Sequence, residues 1–154
     1  MKIESSAFSD GAHIPHAYSR YGDDKSPPLV FKDVPSNARS LALIVDDPDA
    51  PHGTFTHWIV FNLEPTTEGL RENCRVMDAR VGNNDWKEMG YGGPRPPDGE
   101  HRYFFRFFAL DRKLDLPNGA SRAEIDRALR GHVLAEAQLM GRFATPVQSG
   151  QNAR

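Results

Sequence analysis

The sequence predicts a mainly β fold of antiparallel sheets with two helices at the C-terminus. Three observations carry this. Short runs rich in β-branched and aromatic residues fill the first 110 positions. No helical pattern of 10–15 residues separates the strong ones, which argues against parallel βαβ units. Helical spacing with capping signals begins only after Asp111, and strands first with helices last gives helices packed on one side or end of the sheets.

In chain order, Lys2 to Ala7 and Leu29 to Phe31 are weak strand candidates. Ser40 to Asp47, SLALIVDD, is a strong one, stopped by Pro48, which also holds Asp47 extended. Thr54 to Asn62, TFTHWIVFN, is the second strong strand, and Arg75 to Val81 another weak one. His101 to Leu110, HRYFFRFFAL, is the third, with its aromatic rings suited to a half-buried pleated surface. Ser121 and Glu124 form a capping box opening SRAEIDRALR, which Gly131 stops. A second helix is expected over roughly His132 to Met140, and the polar tail from Pro146 should fray.

A chain of 154 residues is expected to form one domain over 1–154 around one core. Net charge is −2, with both signs interspersed, so a nucleic-acid partner is not expected. The N-terminus shows no apolar signal region, and the longest aliphatic run, Leu41 to Val45, is too short to enter a membrane. The single cysteine, Cys74, allows no internal disulfide, and a reducing cytoplasm is the simplest home. The 13 glycines and 12 prolines fall short of low complexity, yet seven of them lie between Gly90 and Gly99, a segment that can be neither helix nor central strand.

Strand alternation sorts the polar residues. Asp47 shares a face with Leu41, Leu43 and Val45, and His101 and Tyr103 share one with Phe105 and Phe107. By the same alternation His57 shares a face with Phe55, Ile59 and Phe61. Such groups on apolar faces must find one another or a ligand, because an unpartnered buried polar group costs roughly 1–3 kcal/mol. If the strands converge, they form a small site preferring an anion, walled by the Gly/Pro segment, where Gly90, Gly92 and Gly93 could offer backbone N–H groups as a nest.

Plainer readings stand beside this one. Each histidine taken singly fits a satisfied core residue, and Asp47 to Pro51 fits a tight turn. Cys74, Trp86 and Met140 read as packing or surface residues, and His13, His16, His52 and His132 as turn, surface or helix-end residues. Asp47, Asp49, His52, His57 and His101 are of metal-ligand type, but their spacing is no known metal signature, and no cofactor or metal is expected. Nucleophile elbow, P-loop and dinucleotide fingerprints are absent. The alternative function is a weak phosphoester or peptide hydrolase using the same His and Asp residues as general base or metal ligands. A third reading is an interaction module whose pocket is vestigial.

The chain resembles the phosphatidylethanolamine-binding proteins, which include the Raf kinase inhibitor proteins, and specifically their bacterial and archaeal branch. The resemblance rests on DPDAP at Asp47 to Pro51, HW at His57 and Trp58, and GYGGPRPPDGEHRYFF at Gly90 to Phe105, in family order. SPPL at Ser26 to Leu29 and GHVLAEAQLMG at Gly131 to Gly141 support it. It implies a Greek-key fold and a surface anion pocket. The pocket maps onto Asp47, Pro51, His57, the Gly93 and Pro94 backbone, His101 and Tyr103. The implied ligands are small anions, phosphate-bearing head groups and phosphorylated partner proteins, and the implied assembly is a homodimer. Arg95 departs from the family pattern and is expected to face solvent, and the short C-terminus puts eukaryotic-type kinase regulation in doubt.

Overall fold

In the computed structural model, which describes residues 1–147, eight strands form two packed sheets, accompanied by one α-helix and a single 3-10 turn at His16–Tyr18. The strands are β1 (Lys2–Glu4), β2 (Leu29–Lys32), β3 (Ser40–Asp47), β4 (Phe55–Leu63), β5 (Gly69–Leu70), β6 (Arg80–Val81), β7 (Glu100–Leu110) and, after helix α1 (Arg122–Leu129), β8 (Val133–Ala144). The smaller sheet has the order β1-β2-β5 and the larger β6-β4-β3-β7-β8, with every strand pair antiparallel. After the β3–β4 hairpin the chain makes a long return to lay β7 on the other side of β3, the connection of a Greek key.

The main core lies between the sheets. Leu41, Leu43 and Val45 of β3 meet Tyr103, Phe105 and Phe107 of β7 there, and Phe31 of the small sheet stacks on Phe107 with ring centroids 4.1 Å apart. A second core lies on the outer face of the large sheet, where α1 sets Ile125 and Leu129 over Ala42, Ile44, Ile59 and Phe61. Fully burying each of those helix side chains contributes roughly 1.5–3 kcal/mol. The capping box forms as its sequence predicts: the Ser121 hydroxyl accepts from the Glu124 N–H, and the Glu124 carboxylate accepts from the Ser121 N–H. Gly131 follows the helix at φ +78°, a conformation other residues adopt only with strain.

The second C-terminal helix does not form. Residues 132–140 lie largely in β8, paired with β7 along almost its whole length. Leu, Ala, Glu, Gln and Met favour helices in isolation, but a long ladder and the burial of alternate residues (Ala135, Ala137, Leu139) against the inter-sheet core override that preference. The weak candidate at Arg75 to Val81 contracts to Arg80–Val81, and the one at Lys2 to Ala7 to Lys2–Glu4. The tail beyond Val147, residues 148–154, lies outside the described residues.

Candidate ligand-binding site at the end of the central strands

β3 ends in two aspartates that project to opposite faces. Asp47 turns inward to the side of Leu43 and Val45, and one of its oxygens accepts the Asp49 N–H at 2.8 Å, closing the turn that begins DPDAP. Its other oxygen accepts from His101 Nδ1 at 2.6 Å, across the sheet from the start of β7. Both residues are buried, Asp47 at 3% exposure and His101 at 7%. Asp49 fastens the same turn to β7 by accepting from the Arg102 backbone N–H, Nε and Nη2, each at 2.9 Å. That guanidinium holds the Asp49 carboxyl down at about 2.

His57 reaches this site by a break in strand alternation. Val45 lies opposite Trp58 and Asp46 opposite Thr56, so His57 has no partner on β3 and forms a bulge. The bulge corrects the expected face-sharing: Ile59 and Phe61 pack beneath α1, whereas His57 stands with Phe55 and Tyr103 on the inner side. Its Nδ1–H donates to the Gly92 carbonyl at 2.7 Å while Gly92 N–H donates to the His57 carbonyl at 2.9 Å. With Nδ1 so engaged, Nε2 of the neutral ring is an acceptor. Burial, which disfavours the charged ring, pushes the His57 pKa below its ordinary value.

Tyr103 completes the floor. Its ring meets His57 edge-on with centroids 5.2 Å apart and lies 6.5 Å from the His101 ring. Its hydroxyl is buried and, among the described residues, has no hydrogen-bond partner. Burial, followed by the negative charge of Asp47, pushes its ionisation far above the usual range, so it remains an O–H donor.

Above these groups opens a cavity of about 670 Å³, within the size range of small-molecule sites. Pro51 and Pro97 form apolar parts of its rim, and Tyr21, Phe55 and Trp86 an aromatic wall. Trp86 has no counterpart among the sequence-predicted site residues. It packs edge-on to His57 at 5.0 Å and to Phe55 at 4.6 Å, while the Arg20 guanidinium lies 3.7 Å over its ring. Gly92 leaves the room: a Cβ there would stand 2.3 Å from the indole. Sequence spacing alone could not place Trp86, because it sits in an irregular loop; the glycine that faces it was the available signal.

Arg95, Lys87, His52 and Asp85 also line the cavity, so Arg95 borders the site although its residue is exposed. Gly93 and Pro94 do not line it. Gly93 N–H donates to Asp24 Oδ1 at 2.7 Å and the Pro94 carbonyl accepts the Arg20 N–H, so these groups anchor the loop and offer no nest. Among the described residues no group of three or more His, Cys, Asp or Glu side chains is arranged to hold a metal ion.

The model of the family described as phosphatidylethanolamine-binding protein matches residues 4–144. The chain belongs to the phosphatidylethanolamine-binding protein family. It is 49% identical over 148 residues to a UPF0098 protein of Methanothermobacter thermautotrophicus, covering 93% of this chain and 98% of that one, and 46% identical to one of Chlamydia muridarum with the same coverage. Among solved structures it is similar to a phosphatidylethanolamine-binding protein homolog of Chlamydia trachomatis, with TM-score 0.90 and 43% identity over 94% of this chain and 97% of that one. YbcL of E. coli, described as a member of the mammalian family, superposes with TM-score 0.88 at 27% identity, over 94% of this chain and 98% of that one.

Proposed function

We propose that this protein is a non-enzymatic binding protein whose pocket holds a phosphate-bearing anion, either free, on a lipid head group or on a phosphorylated partner. The observation that carries this reading is the Tyr103 hydroxyl, a buried donor without a partner beside two imidazoles whose Nδ1 atoms are already engaged. The three groups left to meet a ligand are the Tyr103 O–H, His101 Nε2 and His57 Nε2. A phosphate monoanion suits them: its charged oxygens accept from the Tyr103 O–H, its P–OH donates to Nε2 of neutral His57, and His101 Nε2 is the third contact. Asp47 orients His101 through Nδ1 and stabilises the ring when it is charged. Arg95 and Lys87 at the rim add positive charge. Because Asp47, His101 and Tyr103 come from strands held in the central sheet, the site is built before the ligand arrives.

The protein acts, in this reading, in the cytoplasm and as a homodimer. No helix of the described residues is long and apolar enough to cross a membrane. Calorimetric titration with inorganic phosphate and with phosphoethanolamine tests the pocket. Both should bind, and each should lose most of its affinity in Asp47→Ala and His101→Ala. Inorganic sulfate, which carries no proton near neutral pH, should bind roughly tenfold more weakly than phosphate. Equal binding of phosphate by the parent and both variants overturns the assignment.

A further inference from the structure

β8 is the edge of the large sheet, and the described residues cover only half of that edge. Over its C-terminal half the segment from Asp10 to Ile14 runs alongside. Gly11 N–H donates to the Met140 carbonyl, Met140 N–H to Asp10 Oδ1, Arg142 N–H to the Ala12 carbonyl, and Ile14 N–H to the Arg142 carbonyl. His13 and Arg142 form a parallel bridge. Ile14 drops its side chain between the sheets at 3% exposure, filling the space that a Cβ on Gly141 would need.

One turn of the ladder away, this covering stops. Met140 and Arg142 direct their backbone groups away from β7, and the alternation of the β7–β8 ladder directs those of Glu136 and Gln138 the same way. Among the described residues the outward backbone groups of Glu136 and Gln138 have no backbone partner, unlike those of Met140 and Arg142. Beside them is a groove of about 560 Å³ between β8 and β1, the edge of the small sheet. Its floor is apolar, made of Met1, Ile3, Phe8 and Leu139, with Ala137 leaving the space open. Its rim carries Asp10 and Glu136, and Glu4 already paired with Lys32 at 2.8 Å, beside the basic side chain of Lys2.

We infer that this groove takes an extended peptide segment of a partner protein by strand addition to β8 at Glu136 and Gln138, with a branched aliphatic side chain on the floor and basic residues beside it. The mode is the one the protein's own Asp10 to Ile14 segment already uses on the adjoining stretch of the same edge. Unpaired N–H and C=O groups in a row recognise an extended backbone and no other common ligand, so they supply affinity. The floor reads one inward side chain, and Asp10 and Glu136, the rim carboxylates in no ion pair among the described residues, favour flanking positive charge. β6, at the opposite end of the large sheet, is two residues long and offers no comparable stretch of edge. This surface is separate from the pocket at Asp47, shares no lining residue with it, and does not depend on the reading given for it.

The test uses the full chain, isotope-labelled, titrated with the capped pentapeptide Lys-Val-Ile-Val-Lys. Saturable shifts should be centred on residues 135–139, and the Glu136 and Gln138 amides should gain protection from hydrogen exchange. The same peptide with N-methylated backbone should not bind. Glu136→Lys, an exposed change that leaves the core untouched, should weaken binding roughly fivefold, and Ala137→Phe, which fills the floor, should abolish it. Phosphate binding at the pocket should be the same in both variants, which keeps a misfolded protein from passing as a positive result. Shifts that do not saturate, shifts confined to His57 and His101, equal binding by the N-methylated peptide, or amide protection that grows with protein concentration alone each overturn the proposal. The last of these would assign the edge to a second copy of this chain.

Discussion

Asp46 and Asp47 are neighbours in sequence and both are buried, yet the two faces they serve have opposite character. On the outer face Asp46, 1% exposed, accepts from Arg106 Nε at 3.1 Å and Arg122 Nη1 at 3.0 Å, and the same Arg122 nitrogen donates to the Thr56 hydroxyl. Every polar group there is answered by another from the chain, and the result is a brace joining α1 to β3 and β7. On the inner face Asp47 has one imidazole and a backbone N–H, and the tyrosine beside it has nothing. Burial of a charge is common to both faces and so does not mark function. The unpartnered Tyr103 hydroxyl is what sets the inner face apart, and the ligand-binding proposal rests on it.

Removing the answered group should cost the most stability. Asp46→Ala leaves two arginines without their shared carboxylate, and because both reach solvent in part, the loss should be about 2–3 kcal/mol in urea unfolding. Phosphate affinity measured on the folded fraction should be nearly unchanged. A large loss of affinity would show that the two faces are not independent. Tyr103→Phe should behave in the opposite way. Deleting a buried hydroxyl without a partner should leave stability equal or raise it by about 1 kcal/mol, while phosphate binding weakens roughly tenfold. Destabilisation with unchanged binding would turn Tyr103 into an ordinary core residue.

A smaller effect follows from His57. Burial keeps its ring neutral in the folded protein to a lower pH than in the unfolded chain, where it takes up a proton near 6.5. The unfolded state therefore binds more protons below that point, and stability should fall as pH drops from about 7 towards 5. His57→Gln, which can still donate to the Gly92 carbonyl, should flatten the difference between unfolding curves at the two pH values. An unaltered pH dependence would mean that His57 takes up its proton alike in the folded and the unfolded chain. The smallest change belongs to Arg95→Ala: about a twofold loss of phosphate affinity at low salt that vanishes at high salt, as for an exposed rim charge.

The three long strands were legible because SLALIVDD, TFTHWIVFN and HRYFFRFFAL each combine β-branched or aromatic residues with a clear stop. Asp47, His101 and Tyr103 could be placed because β3 and β7 pair in one continuous register from Ser40 to Asp46. For His57 the alternation places Phe55 correctly but Ile59 and Phe61 on the wrong face, since a bulge is a property of pairing with a second strand and leaves little trace in the first. β8 was read as a helix because the long ladder that decides its state lies on another part of the chain. Gly92 and Gly93 stood out in composition, but which acceptor each N–H finds depends on loops folded back from Arg20 and Asp24.

The bulge at His57 also constrains how such a site can arise. It works as a phase shifter: one residue without a partner lets β4 present Ile59 and Phe61 to the helix and Phe55 and His57 to the cavity, within a single strand. A substitution cannot create or erase that offset, because side-chain exchange leaves the count of backbone units unchanged. Only an insertion or deletion can. Removing one residue between Thr56 and Trp58 would restore simple alternation and take the second imidazole from the pocket at one stroke. A pocket of this kind is therefore gained or lost by a change in chain length, and transplanting it to another sheet means copying the extra residue along with the histidine.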